Sequence, residues 1–259
     1  MTPDQKTRIR TLHRLLHSGG NVCFFTGAGF SCPSGIPDFR SASGIFNQRE
    51  GRIYSPEQMV SRDFLRSHPR EFFEFYREKM VWPQAQPSAG HRYAAALEAA
   101  GIPVSVVTQN IDGLHTAAGS TCVMELHGSI HRNHCTRCRT AYGLEAILDP
   151  HDPEKTGIPH CPACGGTVRP DVVLYGEGLD DDTVTAAIEA IAAADVLVVA
   201  GTSLAVYPAA GFLQFFEGEH LAVVNLSATP LDSRAETAIY ADIGEVFDEL
   251  FRLDGNKPL

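Results

Sequence analysis

No apolar run in the sequence approaches the roughly 18–20 residues needed to cross a bilayer, so no membrane-spanning helix is expected. An excess of positive charge is missing too. The chain carries 21 basic against 31 acidic residues, a net charge of −10 with histidine neutral, which argues against broad capture of nucleic acid or an anionic membrane surface. There is no repeat, low-complexity tract or long flexible linker. Nor does an apolar signal segment follow Met1-Thr2-Pro3-Asp4-Gln5, and a cytoplasmic protein is therefore expected. What is present is an ordinary globular composition, 44% hydrophobic and 20% charged over 259 residues, enough for one large core and a small satellite.

The cysteines have a pattern. Of seven, Cys23, Cys32 and Cys122 are scattered, whereas Cys135/Cys138 and Cys161/Cys164 form two Cys-x-x-Cys pairs 22 residues apart. An odd total disfavours a disulfide framework, and the paired spacing is that of a zinc ribbon. Pro162 and Gly165-Gly166 suit the tight knuckles that such pairs need. Four thiolates close a tetrahedral shell and leave no position for water, so the metal would hold structure and take no part in chemistry. With four cysteines in place, the adjacent His134 and His160 are expected to lie outside the shell.

Short apolar, β-branched runs at 21–26, 104–108, 123–126, 196–200 and 221–226 alternate with helical stretches at 88–100, 182–194 and 244–253. Near-continuous hydrophobicity in short strands is the mark of a parallel sheet buried on both faces. A first helix is expected from Thr2 as cap, Pro3 in the first turn and Gln5 completing a capping box, with Ile9, Leu12, Leu15 and Leu16 on one face. Two segments break the rhythm: 55–82, with two back-to-back helical patterns dense in aromatics, and 131–169, which holds the cysteine pairs. The expected fold class is α/β, a Rossmann-like parallel sheet with a small zinc-ribbon plus helical lobe. Residues 1–54, 83–130 and 170–259 would form the large domain, and 55–82 with 131–169 the small one.

The first strand runs into Gly27-Ala28-Gly29, as dinucleotide-binding chains do. Alone this is weak: the dehydrogenase fingerprint would need glycine where Cys32 stands, and a tight turn without ligand is an equal reading. A second glycine turn, Gly201-Thr202-Ser203, strengthens a phosphate or ribose site, and Asn225 at another strand end could bond a ribose or base.

Taken in order, Gly27-Ala28-Gly29-Phe30-Ser31, Gly35-Ile36-Pro37-Asp38-Phe39-Arg40, Thr108-Gln109-Asn110-Ile111-Asp112-Gly113, Glu125-Leu126-His127-Gly128, the cysteine quartet, Arg169-Pro170-Asp171 and Gly201-Thr202-Ser203 resemble the sirtuins, NAD-dependent protein lysine deacylases. The resemblance implies NAD as co-substrate, one structural zinc and an acyl-lysine protein or peptide as partner. It places Ala28, Gly29 and Cys32 at the diphosphate and ribose, Cys32 offering a weaker contact than the threonine of many relatives. Phe39 and Arg40 fall on the loop over NAD. Gln109, Asn110, Ile111 and Asp112 surround the nicotinamide ribose, the last two holding the carboxamide. Thr202, Ser203, Asn225, Asp242 and Ile243 form the adenosine end. His127, with Asn110, is catalytic, and histidine supplies a base near neutral pH without extreme tuning.

The same resemblance makes Val172, Val173, Tyr175, Gly176 and Glu177 the edge that pairs with an extended peptide. It puts Tyr76 in the acyl tunnel, although the stripe Phe72, Phe73, Tyr76 reads first as core. Sirtuins that favour anionic acyl groups carry Tyr-x-x-Arg there; here the last position is Lys79, which cannot grip a carboxylate at two points, so a neutral acyl group is expected. The implied activity is deacetylation, releasing nicotinamide and O-acetyl-ADP-ribose. ADP-ribosyl transfer, desuccinylation and a non-enzymatic zinc-ribbon binding module are the alternatives. His91, His115 and His131 are expected to be packing or surface residues.

Overall fold

Helix α1 (Pro3–Leu16) starts where its signals stand. The Gln5 amide donates to Thr2 Oγ1 at 3.2 Å and the Thr2 amide donates to Gln5 Oε1 at 2.7 Å, a reciprocal cap that satisfies two otherwise orphaned donors. The computed structural model describes residues 1–39, 44–45 and 53–255.

Nine strands among these residues form two sheets. The larger contains β1 (Val22–Thr26), β2 (Val104–Thr108), β3 (Val123–Glu125), β7 (Val196–Ala200), β8 (His220–Asn225) and β9 (Thr237–Tyr240), in the order β3-β2-β1-β7-β8-β9 and parallel throughout. The smaller is antiparallel, with β4 (Gly128–Cys135) between β5 (Ala141–Tyr142) and β6 (Val168–Val172).

Alternation along the central strands explains their unbroken hydrophobicity. Val22 and Phe24 of β1, Val196 and Val198 of β7, and Ala222 and Val224 of β8 point to one face, under α1, α5 (Ala89–Ala99) and α9 (Ile243–Leu253). Cys23 and Phe25, Leu197 and Val199, and Leu221 and Val223 point to the other, under α8 (Asp181–Ala192) and the 3₁₀ segment Ala209–Phe215. Both faces are covered, and the buried hydroxyls at the ends of β1 and β2, Thr26 and Thr108, bond each other at 2.8 Å.

The segment after residue 55 differs from the expected pair of helices. It folds as α2 (Pro56–Met59), α3 (Arg62–Ser67) and α4 (Pro69–Phe75), followed by a π-helical turn over Tyr76–Met80. Ser55 and Ser61 cap the first two, and a proline opens the first and third, so the chain restarts every few residues. Phe64, Phe72, Phe73, Phe75 and Tyr76 are buried in one cluster with Ile130, Ile147, Val172 and Leu174, which come from the segment around the small sheet. The remaining short helices are α6 (Leu114–Ala118), just after the Gln109–Asp112 stretch, and α7 (Glu145–Leu148).

On the first face, Phe247 of α9 meets Phe24, Phe30 and Tyr93 with ring centroids 6.3, 5.4 and 5.7 Å away. Fully buried, it ties the last helix to the first strand and to the turn that follows it. Phe247→Ala should lower stability by about 3–5 kcal/mol, read as a shift of the urea midpoint with the m-value unchanged.

Candidate active site

Strand β1 has β2 on one side and β7 on the other, so its carboxyl end is the point where the strand order reverses, and open α/β sheets bind ligands there. Two glycine turns close that point. The Gly27 amide donates to Ala200 O at 3.2 Å and the Gly29 amide to Gly201 O at 2.8 Å. A Cβ at Gly29 would stand 3.0 Å from the Gly201 Cα, and one at Gly27 2.7 Å from the Thr202 Cβ. Gly201 itself has φ +64°, and a Cβ there would collide with the Phe30 amide. The amides of Ala28 and Ser203 have no partner among the described residues, and they edge these turns as backbone donors for an anion.

A buried polar network lies beneath. Ser31 Oγ donates to Asp112 Oδ2 at 2.7 Å and accepts from Asn110 Nδ2 at 3.0 Å, while Asn110 Nδ2 also donates to Gly27 O at 3.0 Å. The Leu114 amide donates to Asp112 Oδ1 at 2.9 Å. Burial pushes the Asp112 carboxyl upward, against the Leu114 amide, the Ser31 hydroxyl and the His131 charge. Gln109 Nε2 donates to Thr202 Oγ1 at 3.1 Å, and Asn225 Nδ2 donates to Thr202 O at 3.3 Å, linking the ends of β2, β7 and β8.

His127 sits in the turn between β3 and β4. Its Nδ1 lies 2.8 Å from Gln109 O. A carbonyl oxygen only accepts, so Nδ1 carries the proton and Nε2 keeps its lone pair. Among the described residues Nε2 has no partner. Burial depresses the imidazole's pKa below its ordinary 6.5, with the Gln109 carbonyl opposing. The ring is therefore a neutral, oriented base at neutral pH.

The other expected positions divide. Thr202, Ser203 and Asn225 flank the second glycine turn. Cys32 is half-buried, its thiol raised by burial and by Asp38 and Asp242, with Sγ 3.7 Å from Ala28 O. Asp242 caps α9 by accepting from the Glu245 amide at 3.2 Å, whereas the Ile243 side chain is buried in the large core and leaves only backbone toward the turns. Phe39 and Ile111 are partly buried against the helical cluster. Arg40 lies outside the described residues. Tyr76 is 1% exposed, stacked on Phe72, its hydroxyl without a hydrogen-bond partner.

Strand β6 ends at Val172, so 173–177 form an irregular edge. The Val173 amide donates to His127 O at 2.9 Å, which fixes this edge beside the histidine. Tyr175 exchanges backbone bonds with Val60 and Arg62, and the Leu174 amide is held by Glu177 Oε2 at 3.0 Å. Glu177 pairs with Arg169 through bonds of 2.7 and 3.0 Å, which with the Leu174 amide hold its carboxyl low against the cost of burial. The Val173 carbonyl and the Gly176 amide remain open backbone groups among the described residues.

Sequence reasoning missed three contributors. Ser31, quoted only within a motif, is the hub of the network. His91 was expected as packing or surface; it is fully buried, accepts from the Ser88 amide at Nδ1 (3.1 Å), and so presents Nε2–H to Ser31 Oγ at 3.5 Å. His115 is buried beside it, ring centroids 4.6 Å apart, and burial pushes it down to about 3, so it is neutral. Each histidine lies in the first turn of a helix, α5 for His91 and α6 for His115, a position too common to single them out.

The four paired cysteines converge, their Sγ atoms within 4.8 Å of one another, with Cys135–Cys164 at 3.5 Å and Cys138–Cys161 at 3.6 Å. Amides of Arg137 and Cys138 point at Cys135 Sγ, and a Cβ at Gly166 would crowd it at 3.0 Å. Thr140 holds the Cys138 thiol down to about 6; although the Gly166 amide pulls Cys164 down, burial and the neighbouring sulfurs push it up to about 11. Four sulfurs this close charge together only around a cation, and the set fits one structural zinc. His134 and His160 lie outside it.

A fold with ligand turns at the sheet's switch point, an oriented histidine and a cysteine-ribbon lobe defines a class of nucleotide-consuming enzyme. The Sir2 family model matches residues 27–208, and the chain belongs to that family. It is 47% identical over 244 residues to an NAD-dependent protein deacetylase of Clostridium perfringens, covering 94% of this chain and 98% of that protein. A protein of the same name from Cutibacterium acnes is 50% identical over 232 residues, with coverages of 90% and 93%. Among solved structures, a Sir2 with p53 peptide and NAD+ aligns with TM-score 0.82 at 36% identity (95% and 98% covered), and a Sir2 bound to acetylated peptide with 0.83 at 35% (95% and 98%).

Cys135→Ala should abolish zinc retention and lower the melting temperature, with activity falling in step with the folded fraction. Metal analysis beside thermal denaturation checks this; a metal-free protein of unchanged stability would contradict it.

Proposed function

We propose that this chain removes acetyl groups from protein lysines with NAD as co-substrate, releasing nicotinamide and O-acetyl-ADP-ribose. The carrying observation is His127: Nδ1–H is committed to the Gln109 carbonyl, and Nε2 is left as an unpaired base beside the edge that begins at Val173. The fit to NAD rests on turns that exclude any Cβ, open amides at Ala28 and Ser203, and a buried carboxyl–amide–hydroxyl set at Asp112, Asn110 and Ser31.

Bound at these turns, NAD would supply an electrophilic ribose carbon, with nicotinamide as the leaving group. Asp112 and Ile111 hold the nicotinamide carboxamide, and Ser31 fixes the Asp112 carboxylate in place. Asn110 is doubly anchored by its own amide and orients the ribose. Ala28, Gly29 and Cys32 take the diphosphate and its ribose; Phe39 and Arg40 cover them; Thr202, Ser203, Asn225, Asp242 and the Ile243 backbone take the adenosine. With NAD and peptide bound, His127 Nε2 would accept a proton from a ribose hydroxyl, which would attack the acetyl carbon; the lysine amine would leave with a proton, and water would complete the release of O-acetyl-ADP-ribose.

The peptide adds as a strand at Val172, Val173, Tyr175, Gly176 and Glu177, with the Arg169–Glu177 pair bracing that edge. Residues 55–82 and 131–169 act as one small lobe, supported by their shared apolar cluster. The reduced cysteine quartet supports a cytoplasmic setting, and the acidic balance disfavours nucleic acid as partner. An available His127 base favours deacetylation over ADP-ribosyl transfer.

Replacing His127 with alanine should lower kcat by about 10²–10⁴-fold while leaving NAD and peptide binding largely unchanged. Most of the turnover surviving in a folded His127→Ala protein would remove it from the mechanism. The same histidine sets the acid limb of kcat/KM. Its depressed pKa keeps it unprotonated further into acid, so the limb should lie below pH 6.5, and a limb above that value would contradict the site as described.

Acyl preference follows from the turn after α4. Lys79 Nζ pairs with Glu78 at 3.2 Å, and Arg77 is committed to the carbonyls of Ile147 and Gly157. The guanidinium that acts on Tyr76, that of Arg169, is itself paired with Glu177, so among the described residues none of these three cations is left open to a carboxylate. On one peptide, kcat/KM should be higher for acetyl-lysine than for succinyl-lysine, and the reverse order would refute this.

A further inference from the structure

Away from the switch point, the last turn of α1 presents His13 and His17 one helical turn apart, their rings stacked with centroids 4.4 Å apart. Asp254, the residue that ends α9, faces both. Its Oδ1 is 2.7 Å from His13 Nε2 and 3.4 Å from His17 Nε2, and the three ligand-type atoms lie within 4.8 Å of one another. A tetrahedral ion with bonds of about 2.0–2.1 Å to nitrogen and oxygen needs ligand separations of about 3.3 Å. His13 Nε2 and Asp254 Oδ1 now share a proton at 2.7 Å, and a cation that displaced it would need them to part by only about 0.6 Å.

Three further features point the same way. His17 Nδ1 is 2.8 Å from the His13 carbonyl, so it carries the proton and leaves the Nε2 lone pair facing Asp254. Metal-ligating histidines are oriented by such a bond on the far nitrogen. The electrostatics call for a cation: the carboxyl ends of α1 and α9 both bring partial negative charge, and Asp254 adds a full one. All three ligand side chains stay partly exposed, at 27%, 37% and 21%, which leaves an entry path.

We propose that His13, His17 and Asp254 form a second divalent-cation site of zinc type, with water completing the shell, that clamps the first helix to the last. Two imidazoles and a carboxylate suit zinc and its neighbours over magnesium or calcium, which prefer all-oxygen shells. This site is independent of the cysteine quartet and of the catalytic reading.

The test uses the full-length protein carrying its single structural zinc, titrated with zinc chloride by calorimetry and by melting temperature. The wild type should take up one further, reversible equivalent and gain thermal stability with rising zinc. His17→Gln and Asp254→Asn should each weaken that uptake by more than about tenfold, since loss of an orienting partner alone costs that much. Both should keep the first zinc and the deacetylation rate measured without added metal. Uptake that stops at one equivalent in the wild type would overturn the proposal. So would a second equivalent that folded His17→Gln and Asp254→Asn proteins bind as tightly as wild type. Should one variant fail to fold, the other decides.

Discussion

The close approach of two glycine turns at the switch point is the contact on which the rest of the site depends. Gly29 and Gly201 share a backbone hydrogen bond of 2.8 Å, and neither has room for a Cβ. Without that contact the ends of β1 and β7 would splay, and Thr202 would leave Gln109. Gln109 also supplies the carbonyl that fixes His127. One steric requirement at the centre of the sheet thus reaches the catalytic imidazole through two hydrogen bonds.

Ser31 performs the matching task on the other side of β1. A single hydroxyl gives its proton to Asp112 and receives one from Asn110, so the polarity of the whole network is set. His91 and His115 support it from below as neutral rings, since burial lowers both. Charged imidazoles there would repel each other across 4.6 Å and would cost several kcal/mol to bury. The buried pair is thereby kept as hydrogen-bond donors and packing surface.

Local signals were legible where local physics decides. The capping box at Thr2, the strands at 104–108 and 196–200, the helix after Ser88 and the cysteine spacing all read directly from neighbouring residues. Strand β9 was not seen, because four residues ending in the half-exposed Tyr240 carry no pattern that a loop could not. The restarts in 56–75 were hidden by an aromatic stripe that suits two helices as well as three short ones. Ser31 and His91 owe their roles to partners 60 to 81 residues away, and no windowed pattern reports such a contact. The side chains of Ile243 and Tyr76 lie in core clusters, as the apolar stripe Phe72, Phe73, Tyr76 suggested for the latter.

Coupling between NAD cleavage and the acyl group is the central claim, because every element of the site serves to make one conditional on the other. Purified protein should be given NAD with an acetyl-lysine peptide, with the same peptide unacetylated, and with no peptide, and nicotinamide, deacetylated peptide and O-acetyl-ADP-ribose counted together. The account predicts equal amounts of the three products with the acetylated peptide and almost no nicotinamide in the other two reactions. Nicotinamide released at the same rate without an acetyl group would contradict it.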